Sequence, residues 1–170
     1  MSSVLAERRQ KDEFFKSSRH SPLTSQQRQT FDGLAYYEPN PALDFTLEVN
    51  EFTDKETLTM QTTTGDVRTF QKWGTFSFVV EGQTAELVLY YGSDSGHFFL
   101  PFMDATNTDE TYSGGRYIDP EWLGGREFHI DFNRAYAPYC AYNDRWSCPI
   151  PPLENRLKVR IEAGEKNLPA

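Results

Sequence analysis

The sequence predicts a mainly β protein, in which an antiparallel meander forms a barrel or a two-layer sandwich. Two observations predict this class: apolar and polar residues alternate over several short segments, and tight turn signals separate these segments without helical crossovers. A helix is expected at the N-terminus. A long ordered loop is expected at residues 134–155, because a segment of that length without its own secondary structure is uncommon unless it covers something or has a function.

The first elements are helical. Apolar residues at helical spacing predict an amphipathic helix over residues 4–17. Thr24 and Gln27 have the spacing of a capping box, which predicts a short helical turn that ends near Phe31. The buried face of the first helix is expected to carry Val4, Lys11, Phe14 and Phe15, with the Lys11 stem lying along its apolar neighbours.

Strands follow the helices. Residues 43–49 alternate between apolar and polar side chains, which is the pattern of a strand with one buried face. Turn signals at residues 64–66 and 81–83 separate the segments that come next. The further strands are expected at residues 57–63, 67–73, 75–80, 84–91, 97–102, 126–133 and 156–162.

The length of the chain predicts a single domain over residues 1–170. Residues 1–33 are expected to form its helical N-terminal segment and residues 34–170 its β body. A chain of this length buries enough surface to fold without the help of a metal or a disulfide.

The charge of the chain disfavours nucleic acid as a partner. The formal net charge is -8, and the part that follows residue 28 carries 11 basic against 22 acidic residues. Such an acidic surface repels a phosphate backbone, so we expect no nucleic-acid binding and assign the acidity to solubility.

The sequence also predicts a soluble, cytoplasmic protein that does not enter a membrane. It contains no run of 18 apolar residues, and its first residues lack the apolar centre of a secretory signal. Cys140 and Cys148 are therefore expected to be structural thiols, packed as small apolar groups, although their spacing also permits a disulfide between them.

No motif in the sequence assigns a metal or a cofactor. The two cysteines are too far apart for a zinc knuckle, and residues 104–115 lack the Gly and the final Glu of a calcium loop. His129 shares one face of a predicted strand with Asp131 and Asn133, but a further ligand with a recognised spacing is missing. The familiar phosphate loops, nucleophile elbows and zinc-protease motifs are absent from the sequence, so no metal is expected and no cofactor is assigned.

Two blocks of sequence resemble a known family. The blocks are "LPFMDATNTDETYSGGRYID" at residues 100–119 and "DFNRAYAPYCAYNDRWSCPIPPLENRL" at residues 131–157. They resemble the domain of unknown function 1684 family, and the resemblance extends through nearly the whole chain. It implies a single compact domain and supplies no chemistry. Ala137 stands where similar proteins usually have Asn, so no role of that amide carries over to this chain.

The arginines and tyrosines of these blocks indicate where a site lies. In one interpretation, guanidinium groups bind carboxylates in pairs and fix the long loop to the sheet. In the other, arginines and tyrosines line a pocket for a small anionic or aromatic ligand beneath the loop. The candidate ligand-binding residues are Glu110, Tyr112, Arg116, Asp131, Asn133, Arg134 and Tyr136.

Two other classes of function stay open at the level of sequence. The protein could be a hydrolase or an isomerase in which Glu110, Asp131 or His129 acts as a general acid or base. Alternatively, it could be a scaffold whose basic N-terminal helix docks a partner or a second copy, as in a homodimer.

Overall fold

Two antiparallel sheets form the body of the protein. The structure is a computed structural model and describes residues 2–168. Its strands are β1 (Asp44–Glu48), β2 (Asn50–Glu51), β3 (Thr57–Gln61), β4 (Val67–Val80), β5 (Gln83–Gly92), β6 (His97–Phe102), β7 (Arg116–Ile118), β8 (Glu121–Gly124) and β9 (Glu127–Asp131). The larger sheet has the order β2-β4-β5-β6-β7, with β3 also paired to β4, and the smaller sheet has the order β1-β9-β8.

Two helices precede the sheets, α1 (Ser2–Ser17) and α2 (Ser25–Thr30). The capping box is present as predicted, because the Gln27 N–H donates to the Thr24 hydroxyl at 3.1 Å and the Thr24 N–H donates to the Gln27 side chain at 2.8 Å. Phe15 is buried on α1, whereas Phe14 is 39% exposed. Adjacent helical positions are about 100° apart, so the two rings cannot share one buried face. Neither helix is long and apolar enough to cross a membrane.

The apolar core lies between the two sheets. Phe128 and Ile130 of β9 are fully buried in it, while His129 between them points to the outer face, as the alternation predicts. The ring centroid of Phe132 lies 4.9 Å from that of Phe78 on β4. The described strands do not close into a barrel, so the structure is compatible with the sandwich-like alternative of the predicted fold class.

The largest strand differs from its prediction. The segments predicted at 67–73 and 75–80 form one strand, β4, which has an irregularity in register between Lys72 and Gly74. A Cβ atom at Gly74 would come within 2.6 Å of the Asn50 carbonyl oxygen, so glycine allows β2 to approach β4. The sequence pattern broke at this glycine, although the strand continues through it.

The predicted strand at 156–162 is wrong. The chain there bends at residues 158 and 159 and joins no ladder, apart from a single parallel bridge between Met103 and Arg156. Irregular backbone hydrogen bonds join residues 155–159 to residues 103–105. The carbonyl oxygens of Ile161 and Ala163, which follow, are bound by the buried side chain of Arg116. The short strands β7 and β8 were missed, because three or four residues are too few to show an alternating pattern.

A second apolar cluster joins the helices to the loop at 134–155. This helix–loop cluster has Phe15, Leu23, Ala137 and Tyr142 as its buried members. Ring contacts support it, since the Phe15 centroid lies 5.1 Å from that of Tyr142 in an edge-to-face arrangement. α1 is therefore packed against the body of the protein.

Cys140 and Cys148 are joined by a disulfide. This corrects the prediction of structural thiols. The structure instead contains the alternative that the spacing permits, a disulfide between the two residues. Their Cα atoms are 6.4 Å apart, which is within the range that a disulfide spans. Such bonds persist in oxidising compartments, so the cytoplasmic location stays a prediction.

We expect replacement of both cysteines by alanine to lower the free energy of unfolding by about 2 to 3 kcal/mol, because the bond removes loop-closure entropy from the unfolded chain. Urea denaturation of the oxidised protein and of the double variant measures this difference. A reducing agent should lower the stability of the unmodified protein and leave that of the variant unchanged. Equal stabilities of the oxidised protein and the variant would contradict the expectation.

Candidate ligand-binding site

Arg116 is a structural residue of the core. Its side chain is fully buried, and its guanidinium donates to the carbonyl oxygens of Ile161 at 2.9 Å and of Ala163. The Asp104 carboxylate is 3.5 Å from the guanidinium. Burial lowers the pKa of Arg116, and the charge of Asp104 opposes this shift. Arg116 thus binds mainly backbone carbonyls and fixes the C-terminal segment to the core.

Asp131, Asn133 and Arg134 form a polar turn after β9. The Asp131 carboxylate accepts hydrogen bonds from the Asn133 N–H at 2.9 Å and from the Arg134 guanidinium at 2.6 Å. Arg134 also donates to Glu7 of α1 at 2.8 Å. The Asn133 amide oxygen accepts from the Asn40 N–H at 2.8 Å. These contacts tie the turn to the N-terminal part of the chain, whereas the structural interpretation expected such pairs to fix the long loop to the sheet.

Glu110 and Tyr112 lie apart from that turn. The Glu110 carboxylate accepts hydrogen bonds from the Tyr37 hydroxyl at 2.8 Å and from the Arg160 guanidinium at 2.6 Å. Tyr112 packs against the helix–loop cluster. The seven predicted residues therefore do not converge on one site, and among them Tyr136 is the one that borders a cavity of about 590 Å³.

That cavity is an aromatic groove beside the loop, with a volume of about 590 Å³. The groove lies between the start of β4, the turn from β5 to β6, and the bridge that pairs Tyr117 with Tyr136. Its volume falls in the range of about 300 to 1,000 Å³ that is usual for small-molecule sites. Its main side chains are Arg68, Phe70, His97, Phe99, Tyr117 and Tyr136.

Four of these residues form a continuous row of rings. Phe70 and Phe99 are stacked with centroids 5.2 Å apart. Phe99 meets Tyr117 edge to face at 4.8 Å, and Tyr117 meets Tyr136 edge to face at 5.9 Å. Each ring is held by its neighbour, so the row is a pre-formed apolar surface for a planar group.

The tyrosine hydroxyls of the row already have partners. The Tyr117 hydroxyl donates to the Pro149 carbonyl oxygen, and the Tyr136 hydroxyl donates to the Asp119 carboxylate at 3.1 Å. Burial raises the pKa of both tyrosines, which keeps the hydroxyls protonated. Tyr117 is buried and Tyr136 is half-buried, and their hydroxyls hold Pro149 and Asp119 in place.

Arg68 is the strongest polar feature of the groove. Its guanidinium donates to the Ser147 carbonyl oxygen at 2.6 Å, and within residues 2–168 it forms no ion pair with a carboxylate. Its positive charge opposes the rise in the pKa of Tyr117 that burial causes. His97 stands exposed at the same groove, and Asp94 lies at its edge. Arg68 thus has unused donors beside an aromatic surface.

The sequence interpretation missed Arg68, Phe70, His97 and Phe99, because it gave weight to the blocks at 100–119 and 131–157. One signal was present. Arg68 and Phe70 are two residues apart in the strand predicted at 67–73 and therefore share a face. His97 and Phe99 share a face of the strand predicted at 97–102 in the same way. Two strands that each present a cationic or titratable residue beside a phenylalanine indicate a site only when the strands are known to be close.

His129 belongs to a different cluster, on the outer face of β9. Its Nε2 is 2.6 Å from the Asp44 carboxylate, and Asp131 is near enough to complete a group of three metal-type ligands. However, the Asp131 oxygens accept hydrogen bonds from Asn133 and Arg134, and Arg134 places a positive charge there. The cluster is accounted for by these ion pairs and hydrogen bonds, so we assign no metal to it.

One known protein family matches most of the chain. The family described as "Protein of unknown function (DUF1684)" matches residues 29–166. The chain belongs to this family. The resemblance of the two sequence blocks is thereby confirmed, and both blocks lie within the matched residues.

A solved structure from the archaeon Haloarcula marismortui shares the fold. It is the solution NMR structure of the uncharacterized protein from gene locus rrnAC0354, and it is 35% identical to this chain. The similarity covers 97% of this chain and 92% of that one, with a TM-score of 0.72. The comparison with curated proteins gives no match. The family match and the similar solved structure therefore name no ligand, and the solved structure supports the fold.

Proposed function

We propose that the protein binds a small aromatic molecule that carries an anionic group, and that it does so in the aromatic groove. One observation carries the proposal: the Arg68 guanidinium, which has no carboxylate partner within residues 2–168, stands beside a row of four aromatic rings. A guanidinium binds carboxylates and phosphates through paired donors, and ring faces bind planar groups.

The groove suits such a ligand better than the other cavities do. Its volume of about 590 Å³ accommodates a molecule with one or two rings. The rings are fixed before binding, so a ligand does not have to order them. The disulfide-closed loop supports this wall, because Pro149 follows Cys148 directly and accepts the Tyr117 hydrogen bond.

A reaction in this groove is not proposed. None of the three acid–base candidates borders it, since Glu110 lies in its network with Arg160, and His129 and Asp131 lie in the cluster on the outer face of β9. Docking through the N-terminal helix is also not proposed, because Phe15 and Val4 bury the apolar face of α1 in the protein itself.

Three probes separate the two parts of the proposed site: phenyl phosphate carries a ring and an anion, inorganic phosphate carries the anion alone, and benzyl alcohol carries the ring alone. We expect phenyl phosphate to bind more tightly than either of the others in isothermal titration calorimetry. Arg68→Gln is expected to weaken phenyl phosphate at least about tenfold, because a hydrogen bond to a charged group contributes about 1.5 to 3 kcal/mol. It should leave benzyl alcohol unchanged. Phe70→Leu keeps an apolar side chain but removes a ring, so it should weaken phenyl phosphate more than inorganic phosphate.

Arg126→Gln is the matched control, because Arg126 is an exposed arginine that does not border the groove. It should not alter the affinity for any probe. The proposal is wrong if phenyl phosphate does not bind, or if Arg68→Gln and Arg126→Gln change its affinity equally.

A further inference from the structure

A second and smaller cavity lies beneath α1. Its volume is about 160 Å³, and it separates the helix from the C-terminal segment. The side chains that matter for its chemistry are Arg8, Lys11, Tyr36, Arg134 and Glu165. This cavity is distinct from the aromatic groove, and Tyr136 is the side chain that the two cavities share.

Three buried polar atoms at this cavity have no hydrogen-bond partner within residues 2–168. They are Nε of Arg8, the hydroxyl oxygen of Tyr36 and Oε1 of Glu165. The Glu165 side chain is 0% exposed. Buried polar groups in folded proteins are nearly always paired, so a group of three such atoms around one cavity indicates a missing partner.

The charges around the cavity favour an anion. Glu165 is paired with Lys11 at 2.6 Å, and Glu7 is paired with Arg134 at 2.8 Å. Arg8 is left without a carboxylate among the described residues: its two terminal nitrogens donate to the carbonyl oxygens of Tyr37 and Asn133, and its guanidinium lies 4.3 Å above the Tyr36 ring. The lining side chains carry three positive and two negative charges, and Asp131, which also pairs with Arg134, balances the third positive charge. The group that favours an anion is therefore the Arg8 guanidinium, which has no carboxylate partner among the described residues.

We propose that this cavity binds a small monocarboxylate together with one proton. The ligand oxygens accept hydrogen bonds from Arg8 Nε and from the Tyr36 hydroxyl. The proton comes from solvent and resides on Oε1 of Glu165, which then donates a hydrogen bond to the ligand carboxylate instead of repelling it. No covalent bond forms or breaks in the protein or the ligand apart from this O–H bond.

The environment of Glu165 favours the uptake of that proton. Burial raises the pKa of Glu165, and the Lys11 ammonium opposes the shift without cancelling it. A bound carboxylate adds a second negative charge and therefore raises the pKa further. The other charged or titratable groups that face Glu165 are Arg8 on α1, Tyr36, Arg116 on β7, Tyr136 and Tyr139.

The size of the cavity limits the ligand. A cavity of about 150 Å³ in another protein holds one benzene molecule. The cavity beneath α1 therefore accepts carboxylates from acetate to roughly the size of benzoate. Phosphates are less suitable, because a second negative charge would need a second proton from the protein.

Acetate is the probe for this site. We expect isothermal titration of the full chain to show acetate binding that is tighter at about pH 5.5 than at about pH 8, with the affinity falling by up to tenfold per pH unit above the pKa of Glu165. Titrations in two buffers with different heats of ionisation should show that about one proton is taken up per acetate at pH values above the pKa of Glu165, and that this uptake falls toward zero below it. Acetamide, a neutral molecule of the same shape, should bind more weakly and without proton uptake.

Tyr36→Phe is the decisive variant, because it removes a hydroxyl that has no partner and should leave the protein folded. It is expected to weaken acetate about tenfold, which corresponds to the loss of one hydrogen bond to a charged group. Arg8→Gln should weaken acetate as well. Arg9→Gln, at the exposed neighbouring position of α1, should have no effect.

Three outcomes would overturn the inference. The first is that folded protein binds no acetate at either pH, which would mean that water alone fills the cavity. The second is that acetamide binds as well as acetate without proton uptake. The third is that Tyr36→Phe and Arg9→Gln bind acetate as tightly as the unmodified protein.

Discussion

Replacement of Arg116 by methionine is expected to lower the free energy of unfolding by about 3 to 5 kcal/mol, the usual cost of removing one partner from a buried ionic network. The change leaves the Asp104 carboxylate buried without its guanidinium partner, and it leaves the carbonyl oxygens of Ile161 and Ala163 without a donor. Methionine preserves much of the side-chain volume, so the decrease in the free energy of unfolding measures mainly the loss of the polar contacts. Urea denaturation followed by circular dichroism measures it.

The substitution Arg116→Lys should recover little of this loss. A lysine ammonium is a point charge, whereas the guanidinium serves two carbonyl oxygens in a fixed plane. The control is Arg126→Met, at an arginine whose side chain is 56% exposed, which should change the stability by less than about 0.5 kcal/mol. Equal stabilities of the Arg116 and Arg126 variants would contradict the structural role assigned to Arg116.

The second large effect is expected at Asn155, at the end of the loop. Its side chain is fully buried, accepts from the Val88 N–H at 2.8 Å, and donates to the carbonyl oxygens of Val88 at 2.8 Å and of Pro101 at 2.9 Å. One amide side chain thus gives β5 the pair of hydrogen bonds that a neighbouring strand would give. Asn155→Leu removes these bonds and buries the unpaired backbone groups, so we expect a loss of about 3 kcal/mol.

Hydrogen exchange makes the prediction for Asn155 specific. The Val88 amide proton should exchange with solvent much faster in Asn155→Leu than in the unmodified protein, because its acceptor is the Asn155 side chain. The Leu87 amide provides an internal comparison on the same strand. If protection at Val88 is unchanged by the substitution, the hydrogen bond assigned to Asn155 does not support β5.

The sequence predicted the regular part of the fold well, because alternation depends only on the local chain. β1, β5, β6 and β9 are found close to their predicted positions. The sequence prediction failed at residues 156–162, where distant groups bind the backbone without forming a regular ladder. Residues 156–162 have an apolar pattern that suits a strand, yet Arg116, about 45 residues earlier in the chain, binds the backbone there. No local pattern indicates which distant arginine will do so.

The site was harder to predict for the same reason. One of the two sequence interpretations paired Arg116 and Arg134 with carboxylates. In the structure Arg134 pairs with Asp131 and Glu7, while Arg116 binds chiefly carbonyl groups. Arg68, which we propose binds a ligand, lies outside the blocks that the interpretation favoured. Glu165 was also missed, since a glutamate near a chain end is exposed in most proteins and nothing in its surroundings in the sequence indicates burial.

The central claim is that the aromatic groove is a binding site, whereas the conspicuous arginines and tyrosines mainly hold the structure. Two-dimensional NMR of the isotope-labelled protein, titrated with phenyl phosphate, tests this claim most directly. The account predicts that the largest shifts fall on the amides of residues 67–70 and 92–99 and on the Arg68 side-chain Nε–H, and that the Arg116 signals stay in place. Shifts confined to residues outside the groove, or no shifts when the probe is in large excess, would contradict it.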